Sequence, residues 1–155
     1  MKILWALALL VGAPSIAADG SEEKAAIEQV YANWREAVET ADIPGYVSVL
    51  ASDVKLMPPD ADAIVGKAGY GAFLVPVFAA ATYDIDVIGD FEIDVFGDTA
   101  VAEYEYIIEL SMKEGAEITE PGAITAARSH NRYFDVLRKN RAGEWEIWRH
   151  LWRTL

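Results

Sequence analysis

Apolar residues recur three and four positions apart from Ile27 through Val30, Tyr31, Trp34, Ala37 and Val38 to Ala41. This spacing predicts a helix over 21–41 with one buried stripe, and Ser21 can cap its start. Asp42, with Pro44 in the first turn, caps a second helix through Leu50. Residues 53–58 read as a strand that Pro58-Pro59 stops. Gly66 opens a third helix to about Phe78, with Tyr70, Phe73, Leu74 and Phe78 as its apolar face and Gly69 and Gly71 weakening it. From Thr82 the period drops to two. Tyr83, Ile85 and Val87 alternate with Asp84 and Asp86, Gly89-Asp90 marks a bulge, and Phe91, Ile93 and Val95 resume the alternation. After a turn at Gly97-Asp98, alternate residues from Ala100 to Leu110 are apolar and face Glu103, Glu105 and Glu109. A polar loop spans 113–122, and 124–139 pairs with 144–153 as a hairpin across 140–143. Helices first and consecutive strands afterwards predict an α+β domain with helices packed on a curved antiparallel sheet.

Composition narrows what such a domain can do. Lys2, the apolar run Ile3–Ala13 and the small-residue ending Ser15-Ile16-Ala17 form the pattern of a cleaved signal peptide over 1–17. The expected product is a single domain over 18–155, periplasmic or secreted. The run falls short of the roughly 20 apolar residues of a membrane span, so no membrane association is expected after cleavage. With no Cys in the chain, disulfides, zinc-thiolate sites and cysteine nucleophiles are excluded. A formal charge of −12 opposes the concentrated basic face that nucleic-acid phosphates require. Neither His130 nor His150 has a nearby carboxylate at metal-ligand spacing in the sequence, and no glycine-rich phosphate loop is present, so no metal or cofactor is predicted.

The order of several short segments is more specific than any one of them. Asp42 and its helix, Ala51-Ser52-Asp53-Val54 leading to Met57-Pro58-Pro59, Gly66 before the third helix, and Gly143-Glu144-Trp145-Glu146-Ile147 ahead of Trp152 resemble the SnoaL-like branch of the nuclear transport factor two-like superfamily. The resemblance implies a cone-shaped sheet wrapped around the N-terminal helices, with a mostly apolar cavity at its open end. It also lays Trp34 at the position where steroid isomerases of the superfamily carry a tyrosine donor, Pro58 where they carry an aspartate base, and Asp135 where they carry a second carboxyl acid. Proline cannot move a proton and the indole N–H only donates, so that route to isomerisation lacks its base.

If Trp148, His150 and Trp152 face the cavity, pairing across the 140–143 turn places Asp135 near Trp148, Tyr133 near His150 and Asn131 near Trp152. His150 and Asp135 are then diagonal neighbours. A carboxylate can hold the proton of one imidazole nitrogen and leave the other free to take a substrate proton, while Tyr133 donates to a developing oxyanion. Tyr31, Trp34, Met57, Tyr104, Tyr106, Asn131, Trp148 and Trp152 are the expected ligand-binding wall. Two function classes follow: binding of a hydrophobic small molecule, ranked first, and a cofactor-free isomerase, dehydratase or cyclase using His150, Asp135 and Tyr133. His130 and Arg132 fall on the opposite face. Apolar residues on both faces of the 124–139 strand, with Phe134 and Val136 on one and Tyr133 and Leu137 on the other, predict a homodimer, and SnoaL-like relatives pair through the convex side of the sheet.

Overall fold

The structure, a computed structural model, describes residues 20–155, so the signal peptide predicted over 1–17 lies outside the described residues. Helix α1 (Gly20–Glu39) buries Ile27, Tyr31, Trp34, Ala37 and Val38, the predicted stripe. It ends where Ala41 takes a left-handed φ of 55° and the Asp42 N–H donates to the Ala37 carbonyl at 2.8 Å. Asp42 then caps the short helix α2 (Ile43–Ser48), its carboxylate accepting from the Gly45 N–H at 3.1 Å. Strands β1 (Leu50–Met57) and β2 (Ile64–Val65) lead into α3 (Gly66–Ala80). Strands β3 (Ala81–Phe96), β4 (Thr99–Met112), β5 (Arg128–Lys139) and β6 (Trp145–Thr154) follow.

The strands form one sheet in the order β2-β1-β6-β5-β4-β3. Every pairing is antiparallel except β1 with β6, which is parallel, because the last strand inserts between β1 and β5 and not at an edge. The sheet is therefore mixed, a departure from the antiparallel expectation at one seam. A register shift between Ile88 and Glu92 bends the long strand β3 at Gly89, whose φ is 70°. The inward side chains of β4 and β5 are aromatic or polar at four cross-strand positions, Tyr104 opposite Tyr133 and Tyr106 opposite Asn131. The core lies between these side chains and the helices. Strand β5 begins at Arg128, later than the predicted 124, because residues 113–127 stay irregular and fold back over the core with Ile118, Ala123 and Ile124 packed against it.

The β5–β6 register differs from the sequence expectation. A bulge on β6 between Ile147 and Arg149 leaves Trp148 without a cross-strand partner on β5, so Asp135 lies opposite His150, Tyr133 opposite Trp152 and Asn131 opposite Thr154. One extra residue ahead of His150 preserves its inward face but turns Trp148 outward. There the indole N–H donates to Asp53 at 3.2 Å, and the guanidinium groups of Arg138 and Arg149 sit 5.1 and 3.8 Å from its ring centre. Trp148 is thus an outer-face residue and not part of the cavity wall. Met57 is corrected likewise. Strand alternation turns Leu56 inward opposite His150, and Met57 outward opposite Leu151.

Candidate functional site

Asp135 sits on the inner face of β5, fully buried, where side chains from three other elements meet it. Its Oδ1 lies 2.8 Å from Nδ1 of His150 on β6. Its Oδ2 accepts from the hydroxyl of Tyr104 on β4 at 2.8 Å and from that of Tyr31 on α1 at 3.1 Å. Burial costs a charge dearly unless donors replace the lost water, and here three donors surround one carboxylate. Burial first, then the charge of Asp135, raises the pKa of both Tyr31 and Tyr104 well above the ordinary phenol value, so both stay neutral donors. With Oδ2 occupied by the two phenols, an ionised Asp135 accepts from Nδ1–H of His150 at Oδ1. The second ring nitrogen, Nε2, then carries the lone pair.

His150 also lines an apolar cavity that is open to the surface and holds about 520 Å³ with its mouth and adjoining solvent included. Its enclosed part is only about 70 Å³, below the ~300–1,000 Å³ usual for small-molecule sites, so a ligand held here extends into the open mouth. Deep in the cavity are Trp34, Tyr46, Tyr70, Leu74, Phe78 and Tyr133, all buried, while the half-buried Phe73, Gly122, Ala123, Ile124 and Trp152 form the rim. The rim loop is seated tightly. Gly122 adopts a φ of 83°, and a Cβ there would stand 2.6 Å from the Cβ of Pro58, so only glycine lets the loop approach β1 this closely.

Tyr133 stacks on three rings at once: Tyr104 at 5.0 Å and 3°, His150 at 5.4 Å and 27°, and Trp152 at 5.9 Å and 28°. This fixes the imidazole plane relative to the cavity. Trp34 lies with its ring centre 6.1 Å from that of His150 and stacks on Tyr106 at 5.6 Å and 8°. Its buried indole N–H has no hydrogen-bond partner among the described residues, and neither has the Tyr106 hydroxyl. The sequence reading missed Tyr46 and Tyr70 as polar members of the site. Their hydroxyls bond to each other at 2.5 Å, and burial foremost raises both above the ordinary phenol value. A six-residue helix has too few residues to show a period, and Tyr70 reads from the sequence as one more apolar position of α3.

The structure therefore brings Asp135, His150, Tyr133, Trp34 and Trp152 to one place, with Tyr31 and Tyr104 behind Asp135 and Tyr106 beneath Trp34. Asn131 is buried farther along β5, where it donates to Ser129 at 2.8 Å and accepts from Thr154 at 3.0 Å; it does not line the cavity. Among the described residues no three His, Asp or Glu side chains converge as a metal-binding set.

A sequence profile described as a SnoaL-like domain matches residues 19–150. No curated protein sequence matches the chain. Among similar solved structures is a protein from Novosphingobium aromaticivorans named as a candidate aromatic ring hydroxylase. It is 25% identical, with a TM-score of 0.74 over 87% of this chain and 90% of that one. A ketosteroid isomerase-like protein from Erwinia carotovora atroseptica is 23% identical, with a TM-score of 0.68 over 86% and 97% of the two chains. A candidate scytalone dehydratase from Novosphingobium aromaticivorans is 16% identical, with a TM-score of 0.66 over 88% and 86%. The last two likenesses show the shared fold. With the profile covering nearly all described residues, the chain belongs to the SnoaL-like family, and its fold is that of the nuclear transport factor two-like proteins among its structural neighbours.

Proposed function

We propose that this protein is a cofactor-independent lyase or isomerase that moves a proton on an uncharged cyclic compound, with His150 as the general base. The observation that carries this reading is the 2.8 Å contact between His150 and Asp135 in the wall of an apolar cavity. Nε2 takes a proton from a carbon beside a ligand carbonyl, and the resulting imidazolium faces the Asp135 carboxylate. The electron pair moves onto the carbonyl oxygen. Returning the proton to a hydroxyl on the neighbouring carbon releases water and leaves a double bond, whereas returning it to a different carbon isomerises the ring. In either case the proton is balanced without a metal or redox partner. The unpartnered Trp34 N–H and the Tyr46–Tyr70 hydroxyl pair supply hydrogen-bond donors to the ligand oxygen. A candidate dehydratase among the similar folds accords with the elimination.

The compound is uncharged because its path and its site are acidic or apolar. The rim loop carries Glu114, Glu117 and Glu120, the nearby β1–β2 turn carries Asp60 and Asp62, and the cavity itself contains no lysine or arginine. The Lys2 and Ile3–Ala13 pattern supports work outside the cytoplasm, for which protein recovered from its host should begin near Ala18.

The test uses 2-tetralone, which combines two fused rings, one oxygen and an acidic C–H. The full domain in heavy water should speed exchange of that C–H, followed by NMR, and His150→Gln should lose about 100-fold or more of the rate. Simple binding is the second reading, favoured by walls that are almost wholly apolar. It predicts equal 2-tetralone affinity in wild type and His150→Gln with no exchange above background in either. Equal exchange rates in the two proteins would remove His150 as the base.

A further inference from the structure

Proton transfer uses the polar groups at one end of the cavity only: the His150 ring, the Trp34 N–H and the Tyr46–Tyr70 hydroxyl pair. Phe78 connects that end to the mouth, its ring centre 6.3 Å from that of Tyr46 and 6.0 Å from that of Tyr83. The wall around it is aliphatic, with Leu74, Val77, Ile85 and Ile108. Polarity returns at Tyr83, an inward residue of β3 that is half-buried at the mouth. The proton-transfer step makes no use of its hydroxyl.

The rim loop brings the Ile124 carbonyl to 3.5 Å from the Tyr83 hydroxyl. That is the outer limit of hydrogen-bond length, so the contact is weak. The Ile124 carbonyl accepts from no backbone N–H among the described residues. It is nevertheless fixed in place. The loop is tied at its start by the Lys113 N–H and Nζ, which donate to the Ala80 and Phe78 carbonyls at 2.8 Å. At its end the Ala127 carbonyl accepts from the Leu110 N–H at 2.9 Å, and between them Gly122 is pressed against Pro58. A poorly bonded hydroxyl thus stands beside an unpaired, pre-positioned carbonyl. The chemistry that satisfies both is a group that accepts from the first and donates to the second. Ketones, ethers and carboxylates only accept and ammonium groups only donate, whereas a hydroxyl does both. Burial pushes the Tyr83 pKa up to about 12, so it remains a donor at neutral pH. Glu114, Glu117 and Glu120 of the rim loop oppose a phenolate and favour the neutral form of the incoming group.

We propose that Tyr83 and the Ile124 carbonyl form a second recognition point, which selects a cyclic ketone bearing a neutral hydroxyl at the end remote from its carbonyl. The inference rests on the cavity being the ligand site, as the proposed function holds, but not on His150 acting as a base. Only about 70 Å³ of the cavity is enclosed, so the outer part of a bound ring system lies in the mouth, beside Tyr83. A site built to hydrogen-bond a hydroxyl disfavours the analogue that lacks it, because its own polar groups are then left without a partner. Water can reach a half-buried position and replace the missing group, which keeps the discrimination moderate.

Calorimetric titration of the full chain with 2-tetralone and 6-hydroxy-2-tetralone tests this. In the second compound the carbonyl and the hydroxyl stand at opposite ends of the long axis. Wild type should bind it about tenfold more tightly than 2-tetralone, the worth of two partly exposed hydrogen bonds. Tyr83→Phe should keep its affinity for 2-tetralone within about twofold and reduce the advantage of the hydroxyl to about threefold or less, the share left to the Ile124 carbonyl. 6-Methoxy-2-tetralone accepts but cannot donate, so in wild type it should also keep about threefold or less, which reads the Ile124 contact without any mutation. 5-Hydroxy-2-tetralone, whose hydroxyl points off the long axis, should gain nothing over 2-tetralone, and this separates a placed contact from added polarity. His150→Gln should retain the full preference. Loss of proton exchange in that variant therefore bears on the base alone, and loss of the preference in wild type bears on the recognition point alone. Equal binding of the 6-hydroxy compound and 2-tetralone by wild type, binding of neither, an advantage shared by the 5-hydroxy isomer, or one that survives intact in Tyr83→Phe would overturn the proposal.

Discussion

Two carboxylates of one sheet each hold a histidine across neighbouring strands. Asp135 meets His150 at 2.8 Å on the inner face, and Glu105 meets His130 at 2.6 Å on the outer face. The distances are alike, but the surroundings are not. The inner pair is 0% and 2% exposed and is completed by two neutral phenols; the outer pair is 21% and 38% exposed and is completed by Arg132. Water can replace any lost partner on the outer face, where salt also screens the attraction. No water reaches Asp135, so its donors must all come from protein, and any of them left alone pays the full cost of desolvation. A histidine beside a carboxylate is thus a common pairing on a sheet, and enclosure by apolar walls is what makes one of the two suited to proton transfer.

Breaking the inner pair should have the largest effect. Asp135→Ala strands the His150 ring nitrogen and the Tyr31 and Tyr104 hydroxyls together, and it should cost about 3–5 kcal/mol in urea unfolding. Asp135→Asn keeps the volume and one acceptor, so it should retain part of that stability. A loss below about 1 kcal/mol for Asp135→Ala would mean that the network is not the buried polar centre described here.

The tyrosines sharpen the contrast at high pH. All seven lie on the inner side of the sheet or on the helices packed there, and each is raised above the ordinary 10.0, with burial the largest cause. The half-buried Tyr83 is pushed up to about 12. A raised folded pKa means that the unfolded chain ionises first. The stability these groups contribute is fully present below pH 10 and is lost as the pH rises through the folded values. Phenolate absorbance should therefore stay flat past pH 10 and rise together with loss of the far-ultraviolet helix signal. A normal titration of several tyrosines near pH 10 in the folded protein would contradict the enclosure of the inner face.

Much of this inner face is legible in the sequence because its periods are local. The 3.6-residue stripe through Ile27, Tyr31 and Trp34 and the alternation through Tyr104 and Tyr106 each need only neighbouring residues to be read. The inward direction of both Asp135 and His150 follows from the same alternation. Their direct contact does not, because the register is displaced by two positions, one at the turn, where Lys139 pairs with Trp145, and one at the bulge at Trp148, and a shift of two leaves His150 pointing inward. Trp148 was misplaced for that reason, and Met57 because the 53–58 segment alternates too weakly to show which face is apolar. The parallel seam between β1 and β6 joins residues nearly a hundred positions apart, and no local period carries that information. Tyr46 and Tyr70 escaped because their significance lies in a hydroxyl-to-hydroxyl contact between two helices.

Breaking the outer pair should have the smallest effect. The Arg132 hydrogen bonds foremost, and then that of His130, hold Glu105 below its ordinary value of 4.5. A lowered folded pKa contributes stability that is present above 4.5 and is lost as the pH falls through the folded value. Glu105→Gln should therefore be slightly less stable than wild type at neutral pH and should match it in acid, because there the wild-type carboxyl is protonated as well. The comparison belongs at a protein concentration low enough to dissociate any dimer, so that Glu105 is tested within one chain. High salt should shrink the neutral-pH difference further, since Arg132 is exposed at 46% and the attraction passes partly through solvent. Urea midpoints of the two proteins across the acid range decide the matter. A Glu105→Gln loss as large as that of Asp135→Ala, or one that persists unchanged in acid, would show that the outer pair is no weaker than the inner one and that burial does not separate them.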